Sequence, residues 1–141
     1  MSDIKKVSDE FSAGGQPTPE TLKQLVEQGY KSVVNLRSLD ETGVLADEQQ
    51  QAQAVGLEYV NVPLKSTQAN DNSTAKVLSE LQQLPTPVYF HCGVGGRASA
   101  LALIAFATQH QLNREQVLVK AKELDINPDQ AHLKQFLENL S

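Results

Sequence analysis

The residues with the clearest chemical potential lie within six positions of one another. Cys92, the only cysteine in 141 residues, follows the apolar run Val88-Tyr89-Phe90 and His91. Gly93, Val94, Gly95 and Gly96 come next, then Arg97, then the almost wholly apolar stretch 100–108. This order reads as a buried strand, a tight loop and a buried helix. Glycines in such a loop can adopt the positive φ angles that turn successive N–H groups into a concave nest. The helix start adds unpaired donors and the positive end of its dipole. Arg97 adds a planar fork suited to two oxygens of one anion. The same field favours the thiolate of Cys92, the nucleophilic form. A thiolate beneath an oxyanion cradle can attack phosphorus or sulfur. A cysteine beside a buried strand is by default an inert small hydrophobe, and a glycine after a strand a mere turn; the combination of four residue types at one junction is what argues for chemistry.

The elements that must position this loop can be read in chain order. Residues 7–13 suggest a short edge strand, followed by the turn Gly14-Gly15-Gln16-Pro17. Thr18-Pro19 starts a helix with Thr18 as N-cap, Leu22, Leu25 and Val26 on one face, and Gly29 at its end. A strand is expected over 32–37, a loop over 38–43, a glutamine-rich helix over 45–55 stopped by Gly56, and a strand over 57–62 closed by Pro63. A polar loop over 64–73 leads to a helix over 74–84. Asn113 and Gln116 have capping-box spacing for a helix to about Leu124. Asn127-Pro128 starts a last helix with Leu133, Phe136, Leu137 and Leu140 inward. His110 and His132 read as surface residues.

Alternating strands and helices predict an α/β fold: a mostly parallel central sheet with helices on both faces and two C-terminal packing helices, in one domain spanning 1–141. Ligands of such sheets bind beyond the carboxyl ends of the strands. Arg37, the loop after Pro63 and Cys92 all fall there. That places Asp71, on the polar loop, among the carboxylates able to serve as proton donor near the thiol; Asp40 and Glu41, after the second strand, are its rivals. Asp71 also suits an ordinary capping position, since Asn72-Ser73 leads straight into a helix.

Composition narrows the function. The formal net charge is −5, which argues against general nucleic-acid binding and means that an anion is drawn by the local site. One cysteine excludes an internal disulfide, and no Cys/His cluster suggests a metal site or calls for a cofactor. The N-terminus lacks an apolar signal segment and no apolar run is long enough to span a membrane, so the expectation is a cytoplasmic protein with a reduced thiol and no membrane partner.

The run from His91 through Cys92 and Gly95 to Arg97 resembles the phosphate-binding loop of cysteine-dependent protein tyrosine and dual-specificity phosphatases. Over roughly residues 10–110 the chain resembles the bacterial DUF442, or beta-lactamase-hydrolase-like, group of phosphatase-like proteins. Three stretches carry the match: Ser12-Ala13-Gly14-Gly15-Gln16-Pro17, Val33-Val34-Asn35-Leu36-Arg37, and Val88 to Ser99. The resemblance implies a phosphatase-like fold, Cys92 as phosphoryl acceptor and Arg97 as phosphate clamp. It implies that His91 orders the loop and holds down the cysteine's pKa, and that Asp71, in a setting similar to a general-acid segment, is the proton donor. The loop departs from the common phosphatase pattern in two ways. Four residues, not five, separate Cys92 from Arg97, a spacing that resembles rhodanese-type sulfurtransferases. Ala98 stands where a hydroxyl usually follows the arginine, leaving Ser99 to donate to the thiolate or simply to backbone.

The expected function is hydrolysis of phosphomonoesters through a cysteinyl-phosphate, with a phosphorylated small molecule or phosphoprotein (phosphotyrosine among them) as substrate and phosphate or sulfate as loop ligand. A Cys92 persulfide sulfurtransferase and an anion-binding module with little turnover are the alternatives.

Overall fold

The computed structural model of the chain describes residues 4–38, 41, 47–65, 71–93 and 95–140, Asp71 by its backbone alone. Five strands form one sheet: β1 (Lys5–Lys6), β2 (Phe11–Gly14), β3 (Ser32–Asn35), β4 (Glu58–Asn61) and β5 (Val88–His91), in the order β1-β2-β5-β3-β4. All neighbours are parallel except β1, which pairs antiparallel with β2. Six helices occur among the described residues: α1 (Pro19–Glu27), α2 (Glu48–Ala54), α3 (Asp71–Leu81), α4 (Gly96–His110), α5 (Arg114–Glu123) and α6 (Ala131–Glu138). The expected mostly parallel sheet with helices on both faces is the fold observed.

The period of two along each strand divides the core. Val34, Val88 and Phe90 face a large cluster with Val77 of α3, most of α4, Val117 of α5 and Leu133 of α6. Val33 and Tyr89 face a smaller one with Leu22 and Leu25 of α1 and Ala52 of α2. Helix α4 is apolar all round because it lies under the sheet and against α6, with eight consecutive buried residues from Ala98 to Ala105. An element covered on several sides needs no polar face.

Local signals are obeyed where they are strongest. Thr18 caps α1 by accepting the Thr21 amide, Pro19 opens the helix, and Gly29, at φ 96°, takes the chain out of it. Asn113 and Gln116 form the full capping box of α5. Several expected boundaries shift. The edge strand is β1, and β2 is an interior strand between β1 and β5, because the antiparallel hairpin through residues 7–10 supplies the cover. Val26 is partly exposed while Leu22 and Leu25 are buried, since the helix meets the sheet along a narrow stripe. The helix expected over 45–55 is described from Glu48, with Asp47 as its cap position; residues 42–46 lie outside the described residues. α3 starts at Asp71, three residues before the expected start, so Asp71 belongs to the helix and not to the loop. α6 begins at Ala131 and not at Asn127-Pro128. Gln130 caps it by accepting the amides of His132 and Leu133, and residues 127–130 form a turn. His110 is exposed as expected, whereas His132 is fully buried.

One close approach sets how the strands meet the loop. A Cβ at Gly14 would collide with the Tyr89 hydroxyl, which donates to the Gly15 carbonyl at 2.8 Å. Gly14→Ala is therefore expected to destabilise the fold by about 1–3 kcal/mol, the usual cost of overpacking. Adding Tyr89→Phe, which removes the obstructing hydroxyl, should recover part of that loss in urea unfolding.

Candidate active site

The site is built at the carboxyl ends of β2, β3 and β5. β5 is fully buried and delivers His91 and Cys92 to the edge of the sheet; Cys92 is 1% exposed. The Cys92 amide donates to the Gly14 carbonyl, so the nucleophile loop leaves the sheet alongside the end of β2. The Cys92 Sγ accepts the Gly95 N–H at 3.1 Å. Gly95 is the cap residue of α4 with φ 108°, a left-handed conformation that disfavours side chains; a Cβ there would also sit 3.5 Å from the Gly14 carbonyl carbon. The chain thus aims one backbone donor at the sulfur where α4 begins. Val94, the middle of the expected cradle, lies outside the described residues.

Arg97 lies in the first turn of α4, five residues after Cys92. Its Nη1 and Nη2 donate to Glu41 Oε2 and Oε1 at 2.9 and 2.8 Å, and Nη1 also donates to the Leu64 carbonyl at 2.7 Å. Glu41 further accepts the Ser38 amide at 2.8 Å and Arg37 Nε at 3.3 Å. These partners, Arg97 first, hold the Glu41 carboxyl at about 2 against the opposing effect of burial. The Glu41 carboxylate in turn raises the pKa of Arg97. A carboxyl ionised so far below neutrality carries no proton to donate, so the structure makes Glu41 a support for the arginine and a poor acid. Of its rivals, Asp40 and the side chain of Asp71 lie outside the described residues; the Asp71 backbone opens α3.

His91 is completely buried, with Nε2 2.5 Å from Glu48 Oε2 and Nδ1 3.4 Å from the Cys92 carbonyl. Glu48, the first residue of α2, is itself 1% exposed. Ser99 is buried near the loop, and among the described residues Cys92 Sγ accepts from the Gly95 N–H and not from the Ser99 hydroxyl.

Two residues of this arrangement, Gln16 and Glu48, carry no functional role in the sequence reading, and a third, Arg37, is marked there only by its place at the carboxyl end of a strand. Arg37 sits with its guanidinium 3.9 Å from where a Gly93 Cβ would stand. It is held by the Asn35 Oδ1, which accepts its amide, and by Asn61, which donates to its carbonyl. Gln16 bonds Arg37, Glu48 and Gly93 together. Glu48 pairs with His91. A glutamate followed by three glutamines in a weak helix carries no visible signal; only its burial, a property of the fold, marks it. Beside the loop, a cleft of about 630 Å³ is bounded by Lys5, Gly14, Gly95, Ser99, Asp125 and Gln130.

The mostly parallel five-stranded sheet and its helices form an α/β fold of the phosphatase-like kind. The chain belongs to the family described as "DSP-PTPase phosphatase fused to NAD+ Kinase", whose model matches residues 2–136. It is 24% identical over 115 residues to a beta-lactamase hydrolase-like protein of Agrobacterium fabrum, covering 79% of this chain and 27% of that protein. The chain spans about a quarter of the length of the curated relatives it matches, 27% in each case. Its fold matches a putative phosphatase (DUF442) from Shewanella putrefaciens CN-32 with a TM-score of 0.79 at 20% identity, covering 96% of this chain and 88% of that one. It also matches P. aeruginosa TpbA in complex with pTyr, with a TM-score of 0.75 at 15% identity over 98% and 84% of the two chains.

His132 provides a pH test of this region. Burial, and then the charge of Arg97, push its pKa below the ordinary 6.5, and its Nε2 is buried without a partner among the described residues. The folded protein then binds fewer protons than the unfolded chain, so stability falls as pH drops below 6.5. His132→Leu is expected to flatten that part of the stability–pH curve measured by chemical denaturation.

Proposed function

We propose that the chain is a cysteine-dependent phosphomonoesterase with Cys92 as nucleophile and Arg97 as phosphate clamp. The observation that carries this reading is the junction of β5 and α4, where the Gly95 amide meets the Cys92 sulfur and an ion-paired arginine follows in the same turn. Family membership supports the same chemistry.

In this mechanism the Cys92 thiolate attacks phosphorus, an S–P bond forms, and the bond from phosphorus to the leaving oxygen breaks. Asp71 gives that oxygen its proton. Water then attacks phosphorus, Asp71 takes a proton from it, the S–P bond breaks, and phosphate leaves with the thiolate restored. Arg97 and the loop amides other than that of Gly95 stabilise the equatorial oxygens. Glu41 and Leu64 engage only the Nη ends of Arg97, so its Nε–H edge can face the anion. The Gly95 N–H takes the part of the hydroxyl that Ala98 cannot supply: it stabilises the sulfur as it departs from phosphorus. His91, locked by Glu48, orders the loop from behind. The cleft beside Gly95 accommodates the leaving group. A reduced thiol of this kind suits the cytoplasm; no described helix is long and apolar enough to cross a membrane.

Two families of substrate deserve comparison. TpbA binds phosphotyrosine, which supports a phosphorylated aryl group as ligand here. The family description couples such domains to an NAD+ kinase, whose product NADP+ carries a phosphomonoester of its own. Both belong in the first substrate panel.

Hydrolysis of p-nitrophenyl phosphate without metal is expected, lost in Cys92→Ser and blocked by vanadate. Sulfur transfer from thiosulfate to cyanide in place of hydrolysis would make the protein a sulfurtransferase, the reading that the four-residue loop favours. Oxyanion binding without turnover on any ester would make it a binding module. The proton donor is tested separately. Asp71→Asn should slow alkyl phosphates more than aryl phosphates by at least about tenfold, in the range general acids contribute. Glu41→Gln should change both substrates by the same factor; a loss concentrated on alkyl phosphates would make Glu41 the acid.

A further inference from the structure

The Gly-Gly-Gln-Pro turn has no place in the chemistry above, yet it contacts the Cys92 loop, Arg37 and Glu48. Gly14 gives the backbone clearance for Tyr89 and lies against Gly95. Gln16, immediately after, makes bonds in four directions. Its amide N–H donates to the Gly93 carbonyl at 3.3 Å. Its side-chain Oε1 accepts Arg37 Nη1 at 2.9 Å. Its Nε2 donates to Glu48 Oε1 at 2.6 Å and to the Pro17 carbonyl at 3.1 Å. The amide is oriented with its Nε2 toward the Glu48 carboxyl group and its Oε1 toward the Arg37 guanidinium, which can only donate.

Two separate groups meet at that amide. On one side is Glu48, which holds His91, whose ring touches the Cys92 carbonyl. On the other is Arg37, which shares Glu41 with Arg97. We propose that Gln16 is a positioning residue of the anion site: its amide joins the Glu48–His91 pair to the Arg37–Glu41–Arg97 chain and fixes nucleophile loop and clamp in one geometry. The proposal rests on the anion-site reading of Cys92 and Arg97.

The residue type follows from the neighbours. A glutamate here would set a second carboxylate against Glu48. A lysine or arginine would set a cation against Arg37. An apolar side chain would leave Glu48 and Arg37 each short of a partner in a buried setting, where an unmade hydrogen bond costs most. Glutamine alone offers a donor and an acceptor at that reach without adding charge.

The test measures binding of vanadate to the full chain, so it does not depend on turnover. Gln16→Met and Arg37→Met are each expected to weaken vanadate binding by about tenfold or more, while the double variant loses little beyond either single one, as residues in one network do. Gln16→Glu, the same size but charged, should weaken binding as well and carries the test if the methionine variant fails to fold. A folded Gln16 variant that binds vanadate within about twofold of wild type, or a double variant whose losses multiply, would overturn the proposal. Vanadate binding that depends on Arg97 but not on Gln16 removes this role alone. Wild type that binds no vanadate removes the anion site itself and the proposal with it.

Discussion

The buried bond between His91 and Glu48 constrains the rest of the site. Both side chains are essentially inaccessible, and each sits on an element whose position is otherwise set by packing: His91 at the end of the central strand, Glu48 at the start of α2. Removing one partner of a buried hydrogen bond typically costs about 1–3 kcal/mol, because the group left behind keeps its desolvation penalty. Replacing both by apolar groups can cost little. So the pair is poorly explained as a source of stability and better explained by what it orients. The histidine ring stacks beside Tyr89 and reaches the carbonyl of Cys92, so fixing the ring fixes the first peptide of the loop.

The charges on the solvent side are arranged by the same logic. Arg37 and Arg97 are two like charges that share one carboxylate, Glu41, and without it they would repel across the mouth of the loop. With it they form an alternating chain that returns through Gln16 to Glu48. The protein as a whole is acidic, so an incoming anion meets unfavourable charge until it reaches this mouth. Attraction is therefore local and short in range. In the proposed mechanism a phosphate is held by donors whose directions are fixed in advance, which is where preorganised electrostatics is most effective.

What the sequence makes legible and what it hides divide along a physical line. The strand–loop–helix junction around Cys92 is legible because its information is local: an apolar strand, a cysteine, glycines and an arginine in ten residues. The same holds for Thr18-Pro19 and for the Asn113–Gln116 box, where side chain and amide partners are within three positions. Boundaries set by tertiary contacts are less so, and α6 begins four residues later than its Asn-Pro signal because Gln130 supplies the cap. His132 reads as a surface residue from a polar name on a short helix, yet α6 lies against α4 and turns it inward. Glu48, Gln16 and Arg37 are hidden for a stronger reason. Each is ordinary in its own neighbourhood and is tied to the site by partners 21 to 43 positions away: Gln16 to Arg37 and Glu48, and Glu48 to His91.

The short loop and the missing hydroxyl after Arg97 are best understood together. A loop with one residue fewer has less backbone with which to surround an anion, and the left-handed Gly95 brings α4 close beneath the sulfur. That closeness turns the Gly95 N–H onto Sγ, where a side-chain hydroxyl from the following turn would otherwise be needed. A backbone donor is fixed by the helix it begins and needs no rotamer to be held in place. Ala98, fully buried, then fills space under the sheet without presenting a polar group that lacks a partner. Ala98 and Gly95 are in this sense one solution: the donor moves from a side chain to the backbone, and the position it vacates becomes part of the core.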